Sequence, residues 1–465
     1  MYKRIQNSLA FLIFLLILTV PVAGLAQQTT SAMRVQVSSP DGMPATDANV
    51  TITDTRTGSS RTSAVTSTGS VNVTGLRIGG PYTVRADAMG YSSQTVTDVF
   101  VRLGDTFLLP MTLGQSDMEE VVVTSAAITT ANLALGPAST YNIEDLQDYP
   151  AINRDIRDVI RFDPRIYQDS AFAGGIQCAG ASPRFNSLTV DGVRMNDNFG
   201  LNSNGYPTSR QPFPYDAIQQ VSVELAPFDV QYGGFTGCNI NAVTKSGGNE
   251  WFGGAFYEYT NDSMKGDKLE GDEIDNGDYS EKRYGATLGG PIIKDKLFFF
   301  LAYEKLEGVQ QFNRGAYDSN AGDTVRGVSQ AQLDEISSIA QSVYGYDAGG
   351  FPTTLPVEDE KLVVKLDWQI NDNHRAAFTY NYNDGFTLSE SDGGSSRLSY
   401  SNHYYERGAK LKAYTLHLFS DWNDQFSTEV RAGNFTLDNR QLNIGEPGFG
   451  EVQIRTYNEG GSATV

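Results

Sequence analysis

The stretch 361–383 reads KLVVKLDWQI, then NDN, then HRAAFTYNYN. In its first ten residues Leu362, Val364, Leu366, Trp368 and Ile370 lie opposite Lys361, Lys365, Asp367 and Gln369. In its last ten Ala376, Phe378, Tyr380 and Tyr382 lie opposite Arg375, Thr379, Asn381 and Asn383. Successive side chains of a strand point to opposite faces, so each half predicts a strand with one apolar and one polar face. Asn371-Asp372-Asn373 suits a tight reversal between them. About ten residues of alternation, with aromatics toward the ends, is the length of a strand that crosses a bilayer in a β-barrel. Alternation alone also suits a soluble sandwich, so the connections have to decide.

They alternate strictly in length. The strand that follows Trp251, with Ala255, Tyr257 and Tyr259 on one face, exits into a long acidic loop, 261–280. A return strand at 283–290 meets a short turn, Pro291 to Asp295, and 298–306 leads into a very long loop reaching Glu358. After the short 371–373 turn, 374–383 runs into a loop ending near Ala409. On the next strand Tyr414, Leu416, Leu418 and Trp422 face away from Thr415, His417 and Asp421. Asn423-Asp424 turns it into 426–437. Short turns at one end and long loops at the other are the rule of outer-membrane barrels. Seven strands cannot close a barrel around a folded domain, and an open sheet edge does not face lipid. The reading therefore expects a longer chain, with more strands beyond Val465.

Composition agrees. The 465 residues carry a formal net charge of -20, which argues against nucleic acid as a partner. Three His and two Cys leave little for a metal or His-based catalytic set. No Walker loop, Gly-x-Ser-x-Gly or His-Glu-x-x-His occurs, so an enzyme, catalytic residues, metals and cofactors are not expected. Lys3 and Arg4 precede an apolar run from Leu9 to Val20, then Gly24-Leu25-Ala26. Residues 1–26 read as a cleaved signal peptide; as an anchor the run is too short to span ~30 Å of hydrocarbon.

Three segments remain ahead of the strands. Residues 30–114 carry short strand signals at sandwich spacing, with turns at Ser39-Pro40-Asp41-Gly42 and Gly79-Gly80-Pro81. Residues 118–124, Met118-Glu119-Glu120-Val121-Val122-Val123-Thr124, read either as a plain strand with an acidic lead-in or as an exposed segment for strand addition to a partner. In 125–248, a helix is expected over 153–160, with Ile152, Ile156, Val159 and Ile160 on one face. Arg184 leads into Thr189-Val190-Asp191-Gly192-Val193, a hairpin signal. Gln231-Tyr232-Gly233-Gly234 and Asn241-Ala242-Val243-Thr244-Lys245-Ser246-Gly247 close the unit. Cys178 and Cys238 fall inside it. In an oxidising compartment they are expected to pair, the alternative being two free thiols.

These motifs carry family resemblances. The first segment resembles a carboxypeptidase regulatory-like domain, a transthyretin-like sandwich, and has no His/Glu set for peptidase chemistry. The order of helix, hairpin, Tyr-Gly-Gly turn and Asn-x-Val-Thr-Lys-Ser-Gly exit resembles the plug of TonB-dependent outer-membrane receptors, and with the sandwich most resembles their Oar-like subfamily. Phe162-Asp163-Pro164-Arg165-Ile166 and Gly237-Cys238-Asn239 depart from the usual plug pattern. The run 289–300 resembles the family's first periplasmic turn, and Glu119 to Thr124 resembles a TonB box. The implied fold is mainly β: an N-terminal β-sandwich, a mixed α+β plug domain at 125–248, and from 250 to 465 the first strands of a 22-stranded transmembrane β-barrel. The implied roles follow. Glu119, Glu120, Val121, Val122, Val123 and Thr124 would meet TonB and its inner-membrane energising complex. Arg184, Asp191, Gly192, Gly233, Gly234, Asn241, Thr244, Lys245 and Gly247 would form the plug motif. Outer-membrane lipid and an unknown extracellular substrate would be the other partners, with the sandwich periplasmic. The implied function is energised uptake of an unidentified substrate. The rival is a non-transporting surface protein for adhesion or assembly on the same scaffold.

Two features stay open. The acidic loop, with Asp262, Asp267, Asp272, Glu273, Asp275 and Asp278, reads as a solvated loop or a calcium site without full ligand spacing. In the long loop, Leu333, Ile336, Ile339 and Ala340 at helical spacing predict a small helix over 328–344, for packing or for substrate contact. His374, His403 and His417 sit on separate strands or loops and are not expected as ligands.

Overall fold

A computed structural model of the protein describes residues 28–465 apart from 116–119, 128–129, 134–135, 198–199, 228–231, 267, 270–271, 274–277, 313, 424–425, 446–447, 449 and 459. The expected signal peptide, Met118 and Glu119 of the hinge, Gln231, Asp267, Asp275 and Asp424 lie outside the described residues.

The first unit is a two-sheet sandwich of β1 (Thr30–Ser38), β2 (Asn49–Asp54), β3 (Ser59–Ala64), β4 (Ser70–Arg77), β5 (Gly79–Asp87), β6 (Gln94–Val101) and β7 (Thr106–Thr112). Alternate residues such as Val35, Val37, Val50, Ile52, Val84, Val96 and Leu109 fill its core. The hinge joins both sheets. Its strand β8 (Val121–Thr124) pairs parallel with β6, and β9 (Ala131–Leu133) pairs antiparallel with β7. The sheets thus run β3-β2-β5-β6-β8 and β4-β1-β7-β9. A run of three valines suits this, because β6 would otherwise present an open edge.

The plug follows as β10 (Ala138–Tyr141), α1 (Ile143–Asp148), α2 (Ile156–Ile160), β11 (Ile166–Asp169), β12 (Gly175–Cys178), β13 (Ser187–Val190), β14 (Val193–Arg194), β15 (Ile218–Glu224) and β16 (Asn239–Thr244). Its main sheet has the order β10-β15-β16-β13-β14. Asn142 and Asp145 form a capping box at α1, and Asp155 caps α2 through the Arg157 N–H. That cap starts α2 later than the sequence pattern suggested. Ile156, Val159 and Ile160 are buried, but Ile152 stands ahead of the cap and is 84% exposed.

The remaining chain forms one seven-stranded antiparallel meander. Its wall strands, one to seven, are Phe252–Asn261, Ser280–Ile293, Leu297–Gln311, Thr354–Asn371, His374–Ser389, Tyr405–Asn423 and Phe426–Asn443. Most outrun the expected segments, because the ladders continue past the apolar band toward the long loops. Pro291 accordingly lies in strand two, opposite Phe298, rather than in the turn. In the longest loop, α3 (Gln330–Tyr344) has a Ser329/Gln332 capping box and a left-handed Gly345 at its end. Leu333 is buried in a small loop cluster, whereas Ile339 is exposed.

The wall is inside out relative to a soluble protein. On strand four Asp367 is 1% exposed and its neighbour Trp368 is 51% exposed. Leu366, Phe378, Tyr414, Leu416 and Leu418 are exposed, while Lys361, Lys365, Thr379, Asn381, Asn383, Thr415 and His417 are buried. A water-soluble sandwich would bury the first set; a lipid-facing wall around a polar interior does the reverse. The plug core runs into that interior, since Phe300, Ala302, Val363, Leu411 and Ala413 of the wall share its apolar cluster. In full-length protein refolded into bilayers, Leu366→Arg is expected to destabilise the barrel by about 2–4 kcal/mol. Leu442→Arg, near the loop end, is expected to cost about 0–1 kcal/mol. Denaturant titration reads the difference, and equal costs would contradict a lipid-facing band.

Candidate functional site at the hinge and the plug–wall seam

The Asp191-Gly192 turn joins β13 to β14, with Val190 opposite Val193. Both turn residues have positive φ, 45° and 77°, as a two-residue type I′ turn requires. This conformation aims the Asp191 carboxylate at the end of β16. It accepts from the Thr244 N–H (3.0 Å) and the Thr244 hydroxyl (2.6 Å). Lys365 of wall strand four approaches Asp191 at 3.5 Å and donates to the Thr244 carbonyl (3.0 Å) and hydroxyl (3.2 Å). All three residues are buried, so the turn, the plug's last strand and the wall share one compensated charge.

A second junction lies farther along the seam. Arg154 binds Asp216 at 2.6 Å and wall residue Glu304 at 3.2 Å, and stacks on the Phe256 ring at 3.6 Å. Glu304 also pairs with Lys361 at 3.1 Å and accepts from the Tyr215 N–H at 3.3 Å. Burial pulls the Arg154 pKa down, but Glu304 and Asp216 outweigh it and hold the guanidinium above its ordinary value. Sequence reasoning missed Arg154 and Glu304 as a pair; the available signal was a glutamate on the inward face of a wall strand.

The other plug-motif residues are placed as follows. Asn241 accepts from the Thr189 hydroxyl and donates to the Gln28 carbonyl at 2.7 Å. Lys245 borders a cavity of about 590 Å³ between sandwich, plug and wall, which Arg56, Arg77, Lys365 and Arg375 also line. Burial lowers the Lys245 pKa. A Cβ on Gly247 would collide with the Phe299 carbonyl oxygen, so only glycine lets plug and wall approach there. Gly234 accepts from Arg194 at 2.5 Å, beside Gly233. Arg184 is exposed and donates to the Gly200 carbonyl, apart from the Asp191 junction. Cys178 and Cys238 are bonded, with sulfurs 2.01 Å apart, tying β12 to the start of β16.

At the hinge, Glu120 accepts from the Thr95 hydroxyl at 2.5 Å, and the Ser125 hydroxyl donates to the Asp98 carbonyl. Val123 packs on the sandwich core, Val121 is half-buried, and Val122 and Thr124 point outward. Among the described residues, Asp262 and Asp278 of the acidic loop do not belong to a ligand group.

Comparison with known proteins assigns the units. Residues 32–114 match the model of the carboxypeptidase regulatory-like domain, 132–237 the TonB-dependent receptor plug domain, and 243–325 an outer membrane β-barrel domain. The chain carries a TonB-dependent receptor plug between a regulatory-like sandwich and an outer-membrane barrel wall. It is similar to the TonB-dependent transporter Oar of Myxococcus xanthus, 25% identical over 378 residues, covering 76% of this chain and 33% of that protein. It is also similar to the probable TonB-dependent siderophore receptor PirA of Acinetobacter baumannii, 29% identical over 206 residues, covering 41% of this chain and 25% of that protein. Among solved structures, the outer membrane transporter YddB of Escherichia coli aligns at a TM-score of 0.49 and 15% identity, over 70% of this chain and 42% of that one. The chain thus spans a third or less of the length of these curated relatives.

Two outcomes follow from the seam and the plug. Asp191→Asn keeps a residue that tolerates positive φ but leaves Lys365 buried without its counter-ion, at a cost of about 3–5 kcal/mol. Adding Lys365→Met should recover most of it, read as the denaturant concentration at which trypsin first cuts the plug of the full-length protein. The second concerns acid. Asp155 is buried between Arg157 (2.7 Å) and the Tyr206 hydroxyl (2.7 Å). Burial alone would raise its pKa, but Arg157 outweighs it and holds the carboxyl below the usual range. A depressed folded pKa contributes stability that is complete above the unfolded value of about 3.9 and lost as pH falls through the folded one. Wild-type plug stability should therefore drop on acidification below about pH 4, and the Asp155→Asn protein should lack that part of the drop.

Proposed function

We propose that this protein acts as an energised outer-membrane transporter. It is exported through the 1–26 signal peptide, with its sandwich in the periplasm. A solute binds at the long-loop end of the wall and at the plug, the plug shifts along its polar seam, and the solute passes. TonB and its inner-membrane complex supply the work through β8, whose place at the end of its sheet leaves an outer edge for strand addition. Glu119 to Thr124 form the contact. The observation that carries this reading is a plug held by charged groups to the inner face of a wall whose outer face is apolar. The names of the relatives, a transporter and a siderophore receptor, support transport over an adhesive role and leave the substrate class open.

Deleting Glu119 to Thr124 from the full-length gene tests the reading. Uptake of a transported solute should fall to background while outer-membrane insertion, read by heat-modifiable gel mobility, stays normal. Normal uptake after the deletion would remove the segment from the mechanism.

A further inference from the structure

At the long-loop end of the wall, Asp392 and His403 belong to the connection between strands five and six, and Glu451 to the segment after strand seven. Among the described residues, these three bring one ligand atom each within 4.8 Å of one another. The His403 Nε2 lies 3.5 Å from the Asp392 Oδ2. That separation is close to the edge of a tetrahedron of nitrogen and oxygen ligands at about 2.0–2.2 Å from a central ion. Arg397 meets Asp392 at the other oxygen, Oδ1, at 3.6 Å, a contact that orients the carboxylate. The Gln453 amide donates to the Glu451 Oε1.

The connection is held in place by its own contacts. Glu390 pairs with Arg314 at 2.6 Å and accepts from the Ser399 N–H. The Ser401 and Asn402 N–H groups donate to Gly350 and Ala348, and the Ser391 hydroxyl donates to the His403 carbonyl. Tyr404 is fully buried, and its carbonyl accepts from Ile444 at the start of the segment that carries Glu451. On the far side of Glu451, Ile454 and Val465 exchange two backbone hydrogen bonds of 2.8 Å. Two carboxylates brought this close repel each other, and a cation between them removes that cost.

We propose that Asp392, His403 and Glu451 form a binding site for a divalent first-row transition metal, which fastens the strand five–six connection to the segment after strand seven. The donor set selects the metal class. One imidazole and two carboxylates suit zinc and its neighbours, whereas calcium takes oxygen ligands. Three protein ligands leave a coordination position for water or a solute donor. All three residues line a cavity of about 340 Å³, also bordered by Tyr346, Tyr400 and Asn402, which gives that position room. The site stands on these side chains and is independent of whether the protein transports.

The test uses full-length protein in detergent, stripped with a chelator and titrated calorimetrically with zinc. One site is expected in the wild type, and His403→Ala and Glu451→Gln should each weaken it at least tenfold. His374→Ala is the control, since His374 packs on Trp422 away from the site. Zinc should also slow proteolysis within 444–455 in the wild type and not in His403→Ala. The site is overturned if zinc does not bind, if both site variants bind as the wild type does, or if His374→Ala loses binding equally. The His403 side chain is 40% exposed and Glu451 is exposed, so their replacement leaves the fold intact, as unchanged heat-modifiable mobility would verify.

Discussion

Lys365 is a buried ammonium on the inner face of a wall whose outer face is apolar, and its ion-pair partner comes from the plug. A charge in that position is tolerated only with a partner and with its remaining protons hydrogen-bonded. Asp191 supplies the partner, and Thr244 takes two of the protons. Satisfying Lys365 ties the Asp-Gly turn and the end of β16 to one point of the wall. Glu304 imposes the same demand from the wall on Arg154 and Tyr215. The inside-out wall thus engages its plug at two points, Lys365 with Asp191 and Glu304 with Arg154, while Lys361 and Asp359 pair within the wall and Asp367 meets Arg77 of the sandwich.

The sandwich exerts a second, weaker control. It holds β8 by a four-residue parallel pairing and by the Glu120 and Ser125 contacts. Net hydrogen-bond contributions are about 0.5–1.5 kcal/mol each, so the ladder holds β8 by a few kcal/mol, to which the packing of Val123 on the sandwich core adds. The disulfide works in the opposite sense. It closes a 60-residue separation within the plug and favours that unit by about 4 kcal/mol in the chain-entropy model. A pull on the hinge therefore meets a detachable strand first and a cross-linked domain later.

What the sequence displays and what it conceals divide by range. The Asp191-Gly192 turn is legible because both residues needed for positive φ are adjacent. The wall strands are legible because alternation has period two, although their ends were not: beyond Leu362 toward Thr354 the ladder persists where the apolar face no longer does. Ile152 fitted a helical face by spacing, but Asp155 offered a better cap and left it outside. The valine hinge was legible as a strand and not as part of the sandwich, since its partner β6 lies across an intervening strand, β7. Arg154 and Glu304 are 150 positions apart and meet only because the plug is enclosed. Asp392, His403 and Glu451 have no ligand spacing, because their convergence is made by two separate chain segments.

The division of contacts at the seam also determines what can move. Inside the plug, Ile156, Val159, Ile160, Val221 and Val223 form a dry core, and separating them would expose apolar area at about 25 cal/mol per Å². Across the seam, the ion pairs return little net stability over their hydrated state, because desolvation cancels most of the attraction. Water entering there would rehydrate Lys365, Asp191, Arg154 and Glu304 and offset the contacts it breaks. The shared apolar patch around Phe300, Ala302, Val363, Leu411 and Ala413 resists. A seam built from charges can therefore open without melting the plug, whereas an equally tight apolar seam would have merged the two domains into one.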